Sequence, residues 1–250
     1  MATYSLLPLL LATAIQPLPV EPPQPSPPPP PVIDASGRWN PAIGYVAAGQ
    51  DEPGYRAWYL AVAGRPALVR SFNNYLVTYG VGGVVPTWQL LRTASDWQKC
   101  GAEPYSVPPA GLWPNIVQTL RFVREQVIPR LGPVEAISSY RDPLLNQCAK
   151  GAPTSAHLDF AAIDFVPLKP ITREFMIQDL CEVHFARGSD YGVGLGFYAY
   201  MRFHVDSRKF RKWGAGDGPE AAACNAEPPA GSIAGPPLAM PPPATGTPSH

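Results

Sequence analysis

Thirty-four prolines in 250 residues are more than one packed domain can carry evenly, and their placement divides the chain. Eleven fall in residues 1–32 and nine in 216–250, leaving fourteen for the 183 residues between. Proline fixes φ and removes a backbone donor, so dense runs are shut out of helix interiors and sheet ladders. Residues 36–215 must therefore hold the fold. In the amino-terminal segment, residues 1–15 read as a secretory signal: an apolar run over 6–15 closes on Ala12-Thr13-Ala14 and is too short to span a bilayer as a helix. Residues 16–35, with five consecutive prolines at 27–31, form a semi-rigid polyproline spacer. Residues 216–250 show no hydrophobic periodicity and are expected to be an unstructured tail. This organisation predicts export, to the periplasm or the cell envelope.

Composition narrows the partners. A 46% hydrophobic content supplies a core, while nineteen Lys and Arg balance nineteen Asp and Glu. With no basic excess to neutralise phosphates or hold an anionic membrane, the chain is not expected to bind nucleic acid. The four cysteines contain no CxxC pair, which argues against an all-cysteine zinc site. In an exported chain their even number suggests two disulfides with three connectivities open, Cys100–Cys148 with Cys181–Cys224 being favoured; four free thiols are the alternative in a reducing compartment.

Between the ends both periodicities occur. Ile116, Val117, Leu120, Val123 and Val127 predict an amphipathic helix over 115–131, with Asn115 as its cap and Pro129 near its end. A second helix is predicted after Thr172, ending at Gly188, and a third upstream, broken at residues 80–83. Strands are predicted at 134–139, 161–166 and 196–205, where β-branched and aromatic residues cluster. Helices that precede and separate the strands without regular alternation point to an α+β fold with a small antiparallel sheet flanked by helices.

Of four histidines, two stand in company that can do chemistry: His157 lies seven residues before Asp164, and His204 lies two before Asp206. Two imidazoles and one carboxylate, with a fourth position left to water, make the donor set of a catalytic zinc. Zinc holds its ligand atoms roughly 3.3 Å apart. Seven residues span roughly 23 Å along a strand and roughly 10 Å along a helix, so neither brings His157 and Asp164 to one ion. His157 must therefore sit on a loop that doubles back onto a strand bearing Asp164. His204 and Asp206 are alternate residues of a strand and face one side, which leaves Asp206 free to act as a base or to orient the site.

The ordered combination Ser139-Tyr-Arg141-Asp-Pro-Leu-Leu-Asn146, Ser155-x-His157-(x)6-Asp164, Phe203-His204-Val-Asp206 and Arg211-Lys-Trp213 resembles the zinc D-Ala-D-Ala carboxypeptidases and peptidoglycan peptidases that share a core with the hedgehog signalling domain. The similarity runs from about residue 68 to 213. It implies that His157, Asp164 and His204 hold one Zn2+, that Arg141 contacts the substrate near its carboxylate or scissile carbonyl, and that the substrate is a peptide bond of the peptidoglycan stem peptide. Ser155 would bind substrate or cap its turn. Two positions depart from the pattern: Phe160 stands where the family has Gly, and Met201 where related dipeptidases have a catalytic Glu. The base is thus left to Asp206 or to an acid elsewhere, and a catalytically inactive zinc-binding or cell-wall-binding module is the alternative. His184 is expected on the surface or in the core without a metal role. Phe197, Tyr198, Tyr200 and Phe203 are expected to be packing residues.

Overall fold

The computed structural model describes residues 33–34, 36–216 and 222–225. The predicted signal segment, nearly all of the proline spacer and most of the tail lie outside the described residues. The fold is α+β. One five-stranded sheet runs in the order β1 (Val134–Ser138), β2 (Ala162–Pro167), β4 (Phe203–Asp206), β3 (Gly194–Phe197), β5 (Arg211–Trp213). Around it lie α1 (Glu52–Leu60), α2 (Arg65–Thr78), α3 (Thr87–Leu90), α4 (Trp113–Phe122), α5 (Ile128–Leu131), α6 (Pro143–Cys148), α7 (Arg173–Arg187) and α8 (Ala222–Asn225).

The sheet is mixed where an antiparallel one was expected. Its first three pairings are antiparallel, but β5 runs parallel to β3. The reason is directional: β4 opposes β3, and the chain reverses once more after β4 before reaching the free edge of β3. The stretch 196–205 is likewise two strands and not one. Tyr198 N–H bonds Arg202 O at 3.1 Å and Tyr200 turns the chain with φ 63°, closing a β3–β4 hairpin without any of the residues that usually mark a turn.

The helix predicted over 115–131 starts two residues earlier, at Trp113 with Pro114 in its first turn, and passes through a π-helical turn at Val123–Val127 into α5. Asn115 does not cap it; its amide donates to Asp159 O at 2.8 Å. Thr172 does cap α7, accepting from Phe175 N–H, and α2 ends ahead of the predicted break at 80–83. Among the described residues, no helix is long and apolar enough to cross a membrane.

Period-two alternation separates the two faces of the sheet. Ile163, Phe165, Leu195, Phe203 and Val205 are fully buried in the main core with Ile116 and Leu120 of α4 and Met176, Ile177 and Leu180 of α7. Each such side chain contributes about 1.5–3 kcal/mol by leaving water. The opposite face carries a transverse row in which Ser138 pairs with Asp164, Asp164 with His204, His204 with Gly196, and Gly196 with Trp213. The neighbouring row places Asp206 beside Gly194 and Gly194 beside Arg211. Glycine is required at both β3 positions: a Cβ on Gly196 would lie 2.1 Å from the Trp213 indole, and one on Gly194 2.3 Å from the Asp206 carboxylate.

Both cysteine pairs favoured by the sequence are joined, with Cα separations of 5.8 Å for Cys100–Cys148 and 4.8 Å for Cys181–Cys224. Disulfides of this kind fit an oxidising, extracellular-type environment. The second one departs from the expected unstructured tail, because it fastens the short helix α8 to α7.

Candidate metal centre

His157, Asp164 and His204 converge: one donor atom from each lies within 4.8 Å of the other two, and all three side chains are buried. Asp164 and His204 are brought together by direct cross-strand pairing of β2 with β4. His157 arrives from a turn over residues 156–160 that folds back onto β2, as the spacing argument requires. That turn is tied at both ends, with Arg141 N–H donating to His157 O and Ala161 N–H to Ala156 O.

The turn explains the departure at Phe160. Its φ is +55°, the left-handed region that glycine enters without strain, so the backbone is of the kind a glycine would permit. The ring is fully buried against Phe72, at 5.7 Å between centroids. Left-handed backbone costs a non-glycine residue roughly 1–2 kcal/mol, whereas truncating a buried phenylalanine costs roughly 3–5 kcal/mol, so burial wins. Phe160→Ala is accordingly expected to destabilise the domain more than Phe160→Gly, by about 1 kcal/mol in urea unfolding, since only glycine removes the strain. Greater loss in the glycine variant would contradict this account of the turn.

The hydrogen bonds fix which imidazole nitrogens are available. His157 Nδ1 lies 2.5 Å from Ser139 O, which can only accept, so Nδ1 carries the proton and Nε2 presents a lone pair. Nε2 is buried, has no hydrogen-bond partner among the described residues, and faces Asp164 Oδ1 at 3.3 Å. His204 Nε2 lies 3.1 Å from Asp206 Oδ2, which turns Nδ1 toward Asp164 Oδ1 at 2.9 Å. His157 Nε2, His204 Nδ1 and Asp164 Oδ1 thus face one another, and either a proton on His204 Nδ1 or a metal ion would supply positive charge among them. Two nitrogens and one carboxylate oxygen, each imidazole oriented by an acceptor on its far side, fit a divalent transition-metal ion.

The two imidazoles are shifted in opposite directions, His204 toward its protonated form, which an arriving ion would displace. Burial, followed by the Arg141 charge, pushes His157 down to about 4, so it is neutral and able to ligate near pH 7. Asp164 stays well below the carboxylate range: burial opposes ionisation, but His157 and His204 outweigh it. His204 is raised despite burial because it bonds both Asp164 and Asp206.

The group lies at a cleft of about 520 Å³ whose lining includes His157, His204, Ser138, Arg141, Ser155, Tyr198 and Trp213. Arg141 is not paired with Asp142, which instead caps α6. Its Nη2 donates to Asp164 Oδ2 at 3.0 Å and its Nε to Ser138 Oγ at 3.2 Å. Ser155 lines the cleft while its Oγ accepts from His157 N–H at 3.3 Å. Asp206 faces the same side as His204 but lies across the imidazole from Asp164; its oxygens take two bonds from Arg211 and one from Arg208 N–H. That environment holds its carboxyl down against burial, with His204 contributing most. His184 is buried, with Nε2 on Val193 O and its ring stacked on Phe210.

Two features of the cleft escape sequence reading. Asn146 holds one wall, donating to Ala152 O at 3.0 Å while Gly151 packs against its side chain. Tyr198, expected to be packing, lines the cleft, unlike the buried Phe197 and Phe203. The parity of 194, 196 and 198 carries the signal, but only once the β3–β4 hairpin is known. Compared with protein-family models, with curated proteins and with solved structures, the chain matches none.

Proposed function

We propose that this chain is a zinc-dependent peptidase that hydrolyses a peptide bond of the peptidoglycan stem peptide, as an exported enzyme of the D-Ala-D-Ala carboxypeptidase or endopeptidase type. The observation that carries the reading is the buried convergence of His157 Nε2, Asp164 Oδ1 and His204 Nδ1 beside an open cleft. These three residues would hold the ion, and zinc supplies Lewis acidity toward a peptide carbonyl and toward water. Ser139 O and Asp206 keep both imidazoles turned so that a lone pair faces the ion. Asp206 is therefore a positioning residue for His204. Arg141, anchored by Asp164 and Ser138, directs its remaining donors at a carboxylate or a polarised carbonyl. Lys150, Arg202 and Arg211 also line the cleft, against Asp96 as the carboxylate in that lining, so an anionic peptide end is favoured there.

A second reading, a zinc-holding module without turnover, draws on the same cleft: Met201 supplies no carboxylate, and Asp206 is engaged by two arginine-borne donors and a backbone N–H. Incubation of the zinc-loaded protein with muropeptides from digested peptidoglycan separates the two. Release of D-alanine or of cross-link halves, stopped by chelator and restored by zinc, is the expected result. Turnover indifferent to chelator would overturn the metal assignment, and inert zinc-bound protein would favour the second reading.

A further inference from the structure

We propose that Tyr198 is a catalytic hydrogen-bond donor of this cleft, its phenolic O–H stabilising the oxygen on which negative charge develops when a peptide carbonyl is attacked; the proposal rests on the hydrolase reading above. The ring is held from three directions. Arg202 stacks on it with Cζ 3.8 Å from the centroid, Trp213 meets it edge-on at 5.1 Å, and His204 meets it edge-on at 6.4 Å. A ring clamped in this way brings its hydroxyl to a fixed point without cost at the moment of reaction.

Tyr198 and Arg141 line the same cleft as His157 and His204. A phenol both donates and accepts, so its hydrogen is available to a substrate oxygen in that cleft. No hydrogen bond among the described residues takes that hydrogen, and Tyr198 borders the cleft on the same side as the metal group. An ordinary phenol keeps its proton near pH 7, so the side chain is a neutral donor. Arg141 and Tyr198 together thus present a cationic and a neutral donor side by side. In the reaction, water adds to the carbonyl carbon, the carbonyl π pair moves onto oxygen, and Tyr198 donates a hydrogen bond to that oxygen while keeping its proton. When the pair returns, the bond to the amine breaks and the amine leaves with a proton from the added water. Tyr198 is unchanged at the end.

Tyr198→Phe in the full chain tests this, because the ring and its three contacts remain while the O–H is lost. The expected outcome is a roughly hundredfold fall in kcat on a muropeptide, with KM within about twofold, and unchanged zinc content and melting temperature. Affinity for a phosphinate dipeptide, which carries a tetrahedral anionic centre, should fall by a similar factor, while affinity for the cleaved peptide product stays put. A variant with wild-type kcat overturns the proposal. So does a fall in kcat that tracks lost zinc, or one that leaves phosphinate affinity intact. Absence of turnover in the zinc-loaded wild type defeats the hydrolase reading itself and this inference with it, whereas a fully active variant defeats this inference alone.

Discussion

Asp164→Asn is expected to yield a folded chain that binds no zinc and turns over muropeptides at least roughly 10³-fold more slowly, because the several kcal/mol supplied by a Lewis acid are lost at 1.36 kcal/mol per decade. The reason lies in how many groups share this one carboxylate. Oδ1 faces His157 Nε2 at 3.3 Å and His204 Nδ1 at 2.9 Å, while Oδ2 receives Arg141 at 3.0 Å. An amide removes the negative charge that would hold a cation beside the two imidazoles, and it leaves the nearly buried Arg141 without its counter-ion. Breaking one side of a buried pair costs roughly 3–5 kcal/mol, an upper bound here because the amide oxygen still accepts. Elemental analysis, turnover and thermal unfolding together check the result. A variant with stoichiometric zinc and near-normal turnover would defeat both the ligand assignment and the hydrolase reading.

Removing the Cys100–Cys148 bridge by a double Cys→Ser replacement is expected to lower unfolding free energy by about 4 kcal/mol, the chain-entropy figure for a loop of this size. The bonded residues are 48 apart in sequence. The bridge also joins two parts of the cleft, since Ala94, Ser95 and Asp96 line it shortly before Cys100, and Ala149, Lys150 and Gly151 line it just after Cys148. KM is therefore expected to rise several-fold while zinc content is unchanged, because no ligand lies on either segment. Urea unfolding and steady-state kinetics on the double variant measure both effects. An unchanged midpoint, or a loss of zinc in step with the bridge, would show that the disulfide has a different role.

The parts of this molecule that were legible in its sequence are those set by short-range rules. His204 and Asp206 share a face because they are alternate residues of a strand, and the distance between His157 and Asp164 demanded a turn that the structure supplies. Thr172 announces its helix by capping chemistry, whereas α6, capped by Asp142, is a helix that the sequence reading did not place. What was not legible depends on partners far away in sequence. Residues 198–202 contain no Gly, Pro, Asn, Asp or Ser, so nothing local marks the hairpin that divides 196–205, and the parity that aims Tyr198 at the cleft was hidden with it. Helix α1 opens on Asp51-Glu-Pro53-Gly54, which reads as a turn until Asp51 is seen accepting from Gly54 N–H. The parallel edge strand β5 is three residues long, of which two are basic, and only Gly194 and Gly196 opposite it give it room. Phe160 is the most instructive case: a pattern that asks for glycine is asking for a backbone angle, and a phenylalanine with a core to fill can meet it.

The transverse row from Ser138 through Asp164 and His204 to Gly196 and Trp213 has a consequence for how such a protein can diversify. Two of the three donor atoms are gauged by the rung spacing of a backbone ladder, roughly 5 Å and nearly invariant between proteins. The segments around 94–101 and 149–156, which border the opening, belong to no strand. Insertions in the first of these, or ahead of Ser155 in the second, would alter what enters without altering the grip on an ion, whereas a one-residue slip between β2 and β4 would abolish that grip outright. Selectivity and metal retention are in this sense written on separable stretches of chain, and grafting a foreign rim onto this ladder should change the former alone.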